Sequence, residues 1–144
     1  MNKYLVWLPA VMILGAVIYK PIKQVSGSKL VDKNISFAVY KGSSYTSGIY
    51  NNTSAQVHIT VEKVTTKGQH TIVWDKTLDS RYLSQYPSAE NALKQNVTIP
   101  SVNQKKEYLV VRYTLTYNSK GSELQMQDGT VVKDNNSDKV DISI

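Results

Sequence analysis

The strongest constraint on this chain is an alternation. Leu109, Val111, Tyr113, Leu115 and Tyr117 are apolar or aromatic at every second position, with Val110, Arg112, Thr114 and Thr116 between them. A period of two places those five side chains on one face of an extended strand and is incompatible with an amphipathic helix, whose period is 3.6. Val57, Ile59 and Val61 repeat the pattern against His58, Thr60 and Glu62, and Ile35, Phe37 and Val39 do so earlier. One face of each segment is built for a core and the other for water. From Asn34 onward about seven such segments alternate with turn-rich stretches, which predicts two packed antiparallel sheets.

Pairing follows from the same pattern. Thr66-Lys67-Gly68-Gln69 reads as a hairpin loop in which Gly68 takes a positive φ. With Thr65 opposite His70, Lys63 faces Ile72, Val61 faces Trp74 and Ile59 faces Lys76, so the apolar faces coincide. This register turns His58 outward and His70 inward. Pro87 to Leu93 is expected to hold one helical turn capped by Ser88. The strand of Val97 and Ile99 is expected to end at Pro100. Asn118 to Gly121 forms a turn, and Asp128-Gly129 carries the strongest two-residue hairpin signal, leading into a strand from Thr130 to Lys133. Val140, Ile142 and Ile144 make the last strand.

Upstream, the chain changes character. Tyr4 to Tyr19 (YLVWLPAVMILGAVIY) is an uncharged apolar run between Lys3 and Lys20. Its length falls between a signal-peptide core of about 7 to 15 residues and a full span of about 20. Tyr4, Trp7 and Tyr19 stand near its ends, where aromatic rings anchor at membrane interfaces. Lys20, Pro21 and Lys23 occupy the place where a cleavage region is small and neutral, and the first acceptable site comes at Val25-Ser26-Gly27. These features favour retention over cleavage. The expected organisation is an anchor or signal segment at 1–27, a linker at 28–33 and a β-domain at 34–144. Positive-inside counting would place the Lys-richer C-terminal flank in the cytoplasm. Anchored all-β modules are nonetheless commonest outside it, and an extracytoplasmic domain at the periplasm or cell surface is expected by that analogy.

The tether also explains the charge. The 144 residues carry a net +6, but residues 1–30 contribute four lysines and no acid. The remainder is almost balanced, with no Lys/Arg cluster of the kind that binds phosphates, so no nucleic-acid partner is expected. The chain has no cysteine, which removes disulfides, thiolate nucleophiles, Cys-ligated zinc and an acylated lipobox.

A run of short strands at intervals near ten residues, Trp74 on the third strand and a long Tyr-rich later strand resemble the immunoglobulin and fibronectin type III architecture across residues 34–144. The resemblance implies one Ig-like β-sandwich behind an N-terminal hydrophobic helix. Ile99-Pro100 to Tyr108 is similar to the approach to the tyrosine corner of such domains. Tyr108, however, shares its face with Val110 and Arg112 rather than with Leu109 and Val111, and the antibody cysteine pair is missing.

Catalytic chemistry finds little support. His58 and His70 fall on opposite faces of the expected hairpin and share no ligand set. Asp134-Asn135-Asn136-Ser137-Asp138 opens like a calcium loop, but Lys139 stands where Gly is required and no bidentate Glu follows, so a turn is expected. No G-x-S-x-G elbow and no Gly-rich phosphate loop occur. Asp75 and Asp79 form no acid–base pair. No enzyme activity, cofactor or metal is expected. Asn34, Asn51, Asn52, Asn96 and Asn135 begin N-x-Ser/Thr triplets, informative only on a eukaryotic secretory route.

Tyrosines remain. Tyr40, Tyr45, Tyr50, Tyr82 and Tyr86 lie in or beside loops, where exposed aromatic rings stack on sugars or anchor proteins. Tyr82, Tyr86, Tyr45 and Tyr50 are the candidate ligand or partner contacts. The expected function is a membrane-anchored structural or interaction protein, held by residues 4–19 and paired with a protein of the envelope or cell surface, such as a larger complex it serves as accessory subunit. The alternative is a secreted carbohydrate-binding module released after cleavage.

Overall fold

A computed structural model describes residues 29–45, 47–132 and 137–144. The expected anchor at 4–19, the cleavage site near Gly27 and most of the calcium-like loop lie outside the described residues. Among the described residues there are eight strands: β1 (Leu30–Tyr40), β2 (Thr53–Thr65), β3 (His70–Thr77), β4 (Arg81–Tyr82), β5 (Leu93–Asn103), β6 (Glu107–Ser119), β7 (Ser122–Val131) and β8 (Ser137–Ser143). One short helix, α1 (Ser47–Tyr50), and two single 3-10 turns, Leu83–Gln85 and Ala89–Asn91, complete the described elements. The chain is all-β, in two sheets.

The first sheet has three strands in the order β5-β1-β8, and the second has five in the order β3-β2-β6-β7, with β4 also on β2. All pairs are antiparallel except β1 with β8, which run parallel. The apolar faces read from the sequence form the core between the sheets. Phe37 and Val39 of β1, Val57, Ile59 and Val61 of β2, Val111 of β6 and Ile142 of β8 are fully buried. Phe37 and Trp74 stack across the interior, with centroids 5.4 Å apart and planes 8° from parallel, so the two sheets share one core cluster.

The β2–β3 hairpin forms about Gly68, whose φ is 79°, and pairs Val61 with Trp74 and Ile59 with Lys76 as expected. Beyond Val61 the register slips by one, because Val73 is a bulge residue and Glu62 faces Ile72. A bulge sets two residues against one and reverses the parity of everything past it. Val73 and Trp74 thereby both reach the core, while Val64 rather than Thr65 faces His70. His70 is therefore not inward: it lies on the outer face, and its ring contacts Glu62 there.

Four other expectations are corrected. From Leu30 on, the expected linker is strand, and Lys33 within it is buried. β5 does not stop at Pro100 but continues to Asn103. Pro100 and Ser101 oppose Asp32 alone, so the missing proline N–H falls in a bulge where the ladder needs no donor. The Ser101 N–H is instead satisfied by Asp32 Oδ1 at 3.0 Å. Asp128-Gly129 is not a turn. β7 runs through it, pairing Asp128 with Tyr113 and Gly129 with Arg112. Its backbone lies so close to β6 that a Cβ on Gly129 would meet the Val111 carbonyl at 2.8 Å. The helical turn after Pro87 is present at Ala89–Asn91, with Ser88 preceding it but making no side-chain cap. Tyr108, in contrast, lies where its alternation with Val110 and Arg112 puts it, on the outer face of β6, and is exposed.

Candidate interaction site

The sheets differ in width, and the site is a result of that difference. β7 pairs with β6 along its whole length, yet all ten of its residues are exposed. Leu124 faces Tyr117 and Met126 faces Leu115, which puts both on the inner, core-directed side. Leu124 is nevertheless 61 % exposed and Met126 54 %. The wider sheet overhangs the narrower one here, so the inner face of its last strand is left uncovered.

Beneath the overhang lies a cleft of about 520 Å³. Its apolar walls come from Leu124, Met126, Tyr117, Leu83 and Ile144, and Tyr45 and Tyr50 close one side. Tyr45 and Tyr50 stack at 6.1 Å, and the Lys41 ammonium lies 4.4 Å from the Tyr45 ring centroid, a cation–π distance. The loop that carries them is tied down by main-chain bonds from Gly42 N–H to the Ile144 carbonyl and from Ile144 N–H to the Tyr40 carbonyl, both 2.9 Å. The Tyr45 hydroxyl is buried and has no hydrogen-bond partner among the described residues. A buried unpaired hydroxyl is costly. Tyr117 is partly buried, and that burial raises its hydroxyl pKa above the ordinary value.

The four candidate tyrosines therefore separate. Tyr45 and Tyr50 meet in the cleft. Tyr82, 51 % exposed, stands apart on the outer face beside a hollow lined by Ser54, Gln56, Thr116, Asn118 and Lys120. Tyr86 is not available at all. It is 2 % exposed, its hydroxyl donates to the Ala55 carbonyl at 2.9 Å, and burial raises its pKa. It is a core residue that pins the 83–92 segment to β2. Leu124 and Met126 are the residues the sequence reading missed. Their only signal is an alternation indistinguishable from that of a covered strand.

The outer face of the wide sheet carries the titratable groups. Asp75 accepts from His58 Nε2 at 2.6 Å. Glu62 accepts from His70 Nδ1 at 2.9 Å and from Arg112 Nε at 3.2 Å. The His70 hydrogen bond holds the Glu62 carboxyl below its ordinary pKa, against an opposing push from burial, and Arg112 adds to the lowering. Neither histidine has a serine hydroxyl as hydrogen-bond partner among the described residues. No group of three or more His, Asp or Glu able to hold a metal ion occurs among them, and no helix there is long and apolar enough to cross a membrane.

Comparisons with family models, with curated proteins and with solved structures give no match.

Proposed function

We propose that the chain is a non-enzymatic, membrane-anchored interaction module whose Ig-like β-sandwich stands on the extracytoplasmic side and holds a protein partner at the β7 overhang. The observation that carries this reading is the uncovered apolar cleft, walled by Leu124, Met126, Tyr45 and Tyr50. A monomeric domain seldom leaves both apolar side chains of a strand's core face in water unless a partner covers them. Tyrosine at such a surface supplies a rigid apolar body with a polar tip. The Ig-like assignment is supported by strand order: β7-β6-β2-β3 follows the G-F-C-C′ order of variable-type domains, and β8-β1-β5 follows A-B-E with a C-terminal strand in the first position. Anchoring is supported by the Tyr4–Tyr19 run.

The test places a photoreactive residue at Leu124 in the full chain in its source cells, with Gln56 in the middle of the sheet as control. A protein adduct at Leu124 and none at Gln56 is expected, in a membrane fraction whose intact mass retains Met1 to Gly27. Absence of any protein adduct at Leu124 overturns the interaction role.

A second reading, a carbohydrate-binding module, is favoured by one observation: Tyr82 projects beside amide and hydroxyl groups of the outer-face hollow, the pairing of stacking ring and hydrogen-bonding groups that sugars require. Glycan-array binding lost on Tyr82→Ala would select it. No signal from the unmodified protein would remove it.

A further inference from the structure

Among the described residues five strands form sheet edges: β4 is only two residues long, and three others carry features that block further pairing. β3 has the Val73 bulge and the charges of Asp75 and Lys76. β5 has Lys94, Pro100 and the bulge at Pro100-Ser101. β8 has Asp138, Lys139 and Asp141, with Lys139 and Asp141 bridged at 2.9 Å. Lysine, proline and bulges are the standard protections of an exposed edge. β7 has no lysine, proline or bulge, and its only charges are Glu123 and Asp128. It is ten residues long, contains no Lys, Arg or Pro, and keeps an unbroken register with β6 from Val110 opposite Val131 to Ser119 opposite Ser122.

Which backbone groups β7 offers is fixed by its turn. Lys120 and Gly121 both have positive φ, 50° and 82°, as a two-residue type I′ hairpin requires. The flanking Ser119–Ser122 pair then exchanges both its hydrogen bonds. Alternation turns the N–H and C=O of Leu124 and Met126 toward β6, and those of Glu123, Gln125 and Gln127 outward.

We infer that β7 pairs antiparallel with β7 of a second copy of this chain, about a two-fold axis through Gln125. This rests on the reading of the β7 side as a partner surface and names the partner. In that register Gln125 meets Gln125 of the other copy, and Glu123 meets Gln127 twice. These are the outward-facing residues, so their pairing forms about six main-chain hydrogen bonds. Leu124 then meets Met126 twice on the inner side, as non-hydrogen-bonded pairs whose side chains approach most closely. Glu123 gains an amide donor, Asp128 faces Ser122, and no like charges are opposed. Shifting the register so that Met126 meets Met126 would set Leu124 against Asp128, which is worse for both. A two-fold axis perpendicular to the sheet keeps both inner faces on one side, so the two clefts open onto each other. Strand pairing of this length buries less than the roughly 1,600 Å² of a standard interface. Confinement of both copies to one membrane plane supplies the missing affinity as effective concentration.

The chain has no cysteine, so Gln125→Cys introduces a single reactive thiol. The full-length variant is treated in source-cell membranes with a short bis-maleimide, beside Gln56→Cys as control. A product of twice the chain mass at Gln125 and not at Gln56 is expected. Met126→Lys in the Gln125→Cys chain should cut that product about tenfold or more, because it buries charge against apolar neighbours. Unchanged thermal unfolding shows that the variant still folds. A doubled product that survives Met126→Lys overturns β7 pairing. A product of some other mass overturns self-pairing while leaving the interaction role standing. No product from Gln125→Cys, together with no photo-adduct at Leu124, overturns both.

Discussion

β2 and β7 flank the same strand, β6, and carry the same kind of pattern, yet one is buried and the other is not. In β2, Ala55, Val57, Ile59 and Val61 are fully enclosed. In β7, Leu124 and Met126 stand on the same side of the same sheet and remain mostly in water. The difference is not in either strand. β1 and its neighbours lie beneath β2, and nothing among the described residues lies beneath the outer part of β7. An alternating strand is thus a half-finished core, and what completes it decides whether it stabilises the fold or serves as a surface.

The sharpest way to break this contrast is truncation on each strand. Ile59→Ala should cost about 2–5 kcal/mol, since it removes packed methyl groups and leaves a cavity. Denaturant unfolding measures it, and a loss below about 1 kcal/mol would mean that the sheets are not packed over β2. Tyr86→Phe comes next. It keeps the ring in the core and removes only the hydroxyl's bond to the Ala55 carbonyl, while Ala55 still pairs with Arg81 of β4, an expected loss of about 0.5–1.5 kcal/mol by the same measurement.

Tyr113 sharpens the comparison through pH. It lies on β6 between the covered and uncovered strands, and its pKa is raised to about 12, first by burial and then by the hydrogen bond to Asp128 of β7, 3.0 Å long. The folded chain therefore holds this proton more tightly than the unfolded chain, whose tyrosine titrates near its ordinary value of 10. Its contribution to stability is complete below about pH 10 and is lost as pH rises toward 12. Tyrosinate absorbance should show a late-titrating group, and Asp128→Asn should bring that group's midpoint down if β7 remains docked on β6. An unchanged midpoint would show that β7 does not supply the bond. The smallest effect is expected on β7 itself. Leu124→Ala should leave stability within about 0.5 kcal/mol, as for other surface substitutions, while weakening partner cross-linking. A loss comparable to that of Ile59→Ala would mean that β7 belongs to the core of the single chain.

Much of the fold was legible. The faces of β1, β2 and β6, the turn at Gly68 and the pairing of Val61 with Trp74 all follow from alternation and turn chemistry. The errors are local preferences overridden by a neighbour. Asp128-Gly129 is a good turn in isolation, but β6 extends far enough to pair the residues on both sides, and the ladder prevails. Pro100 would end a strand that needed its N–H, and the bulge removes the need. His70 changed face because one inserted residue at Val73 reverses parity, and a bulge leaves little trace in composition. Of the four candidate tyrosines, the structure brings only Tyr45 and Tyr50 together. Tyr86 carries no sequence signal of its burial because a loop residue can still fold back into a core, and the alternation of Leu124 and Met126 is the same in a covered and an uncovered strand.

By itself the sequence determined the all-β class and which face of each strand is apolar, because a two-residue period is a property of the local chain. Which apolar faces are covered was decided only by the tertiary structure. That depends on three strands lying against a sheet of five, and sheet width is set by long-range pairing that no local pattern encodes.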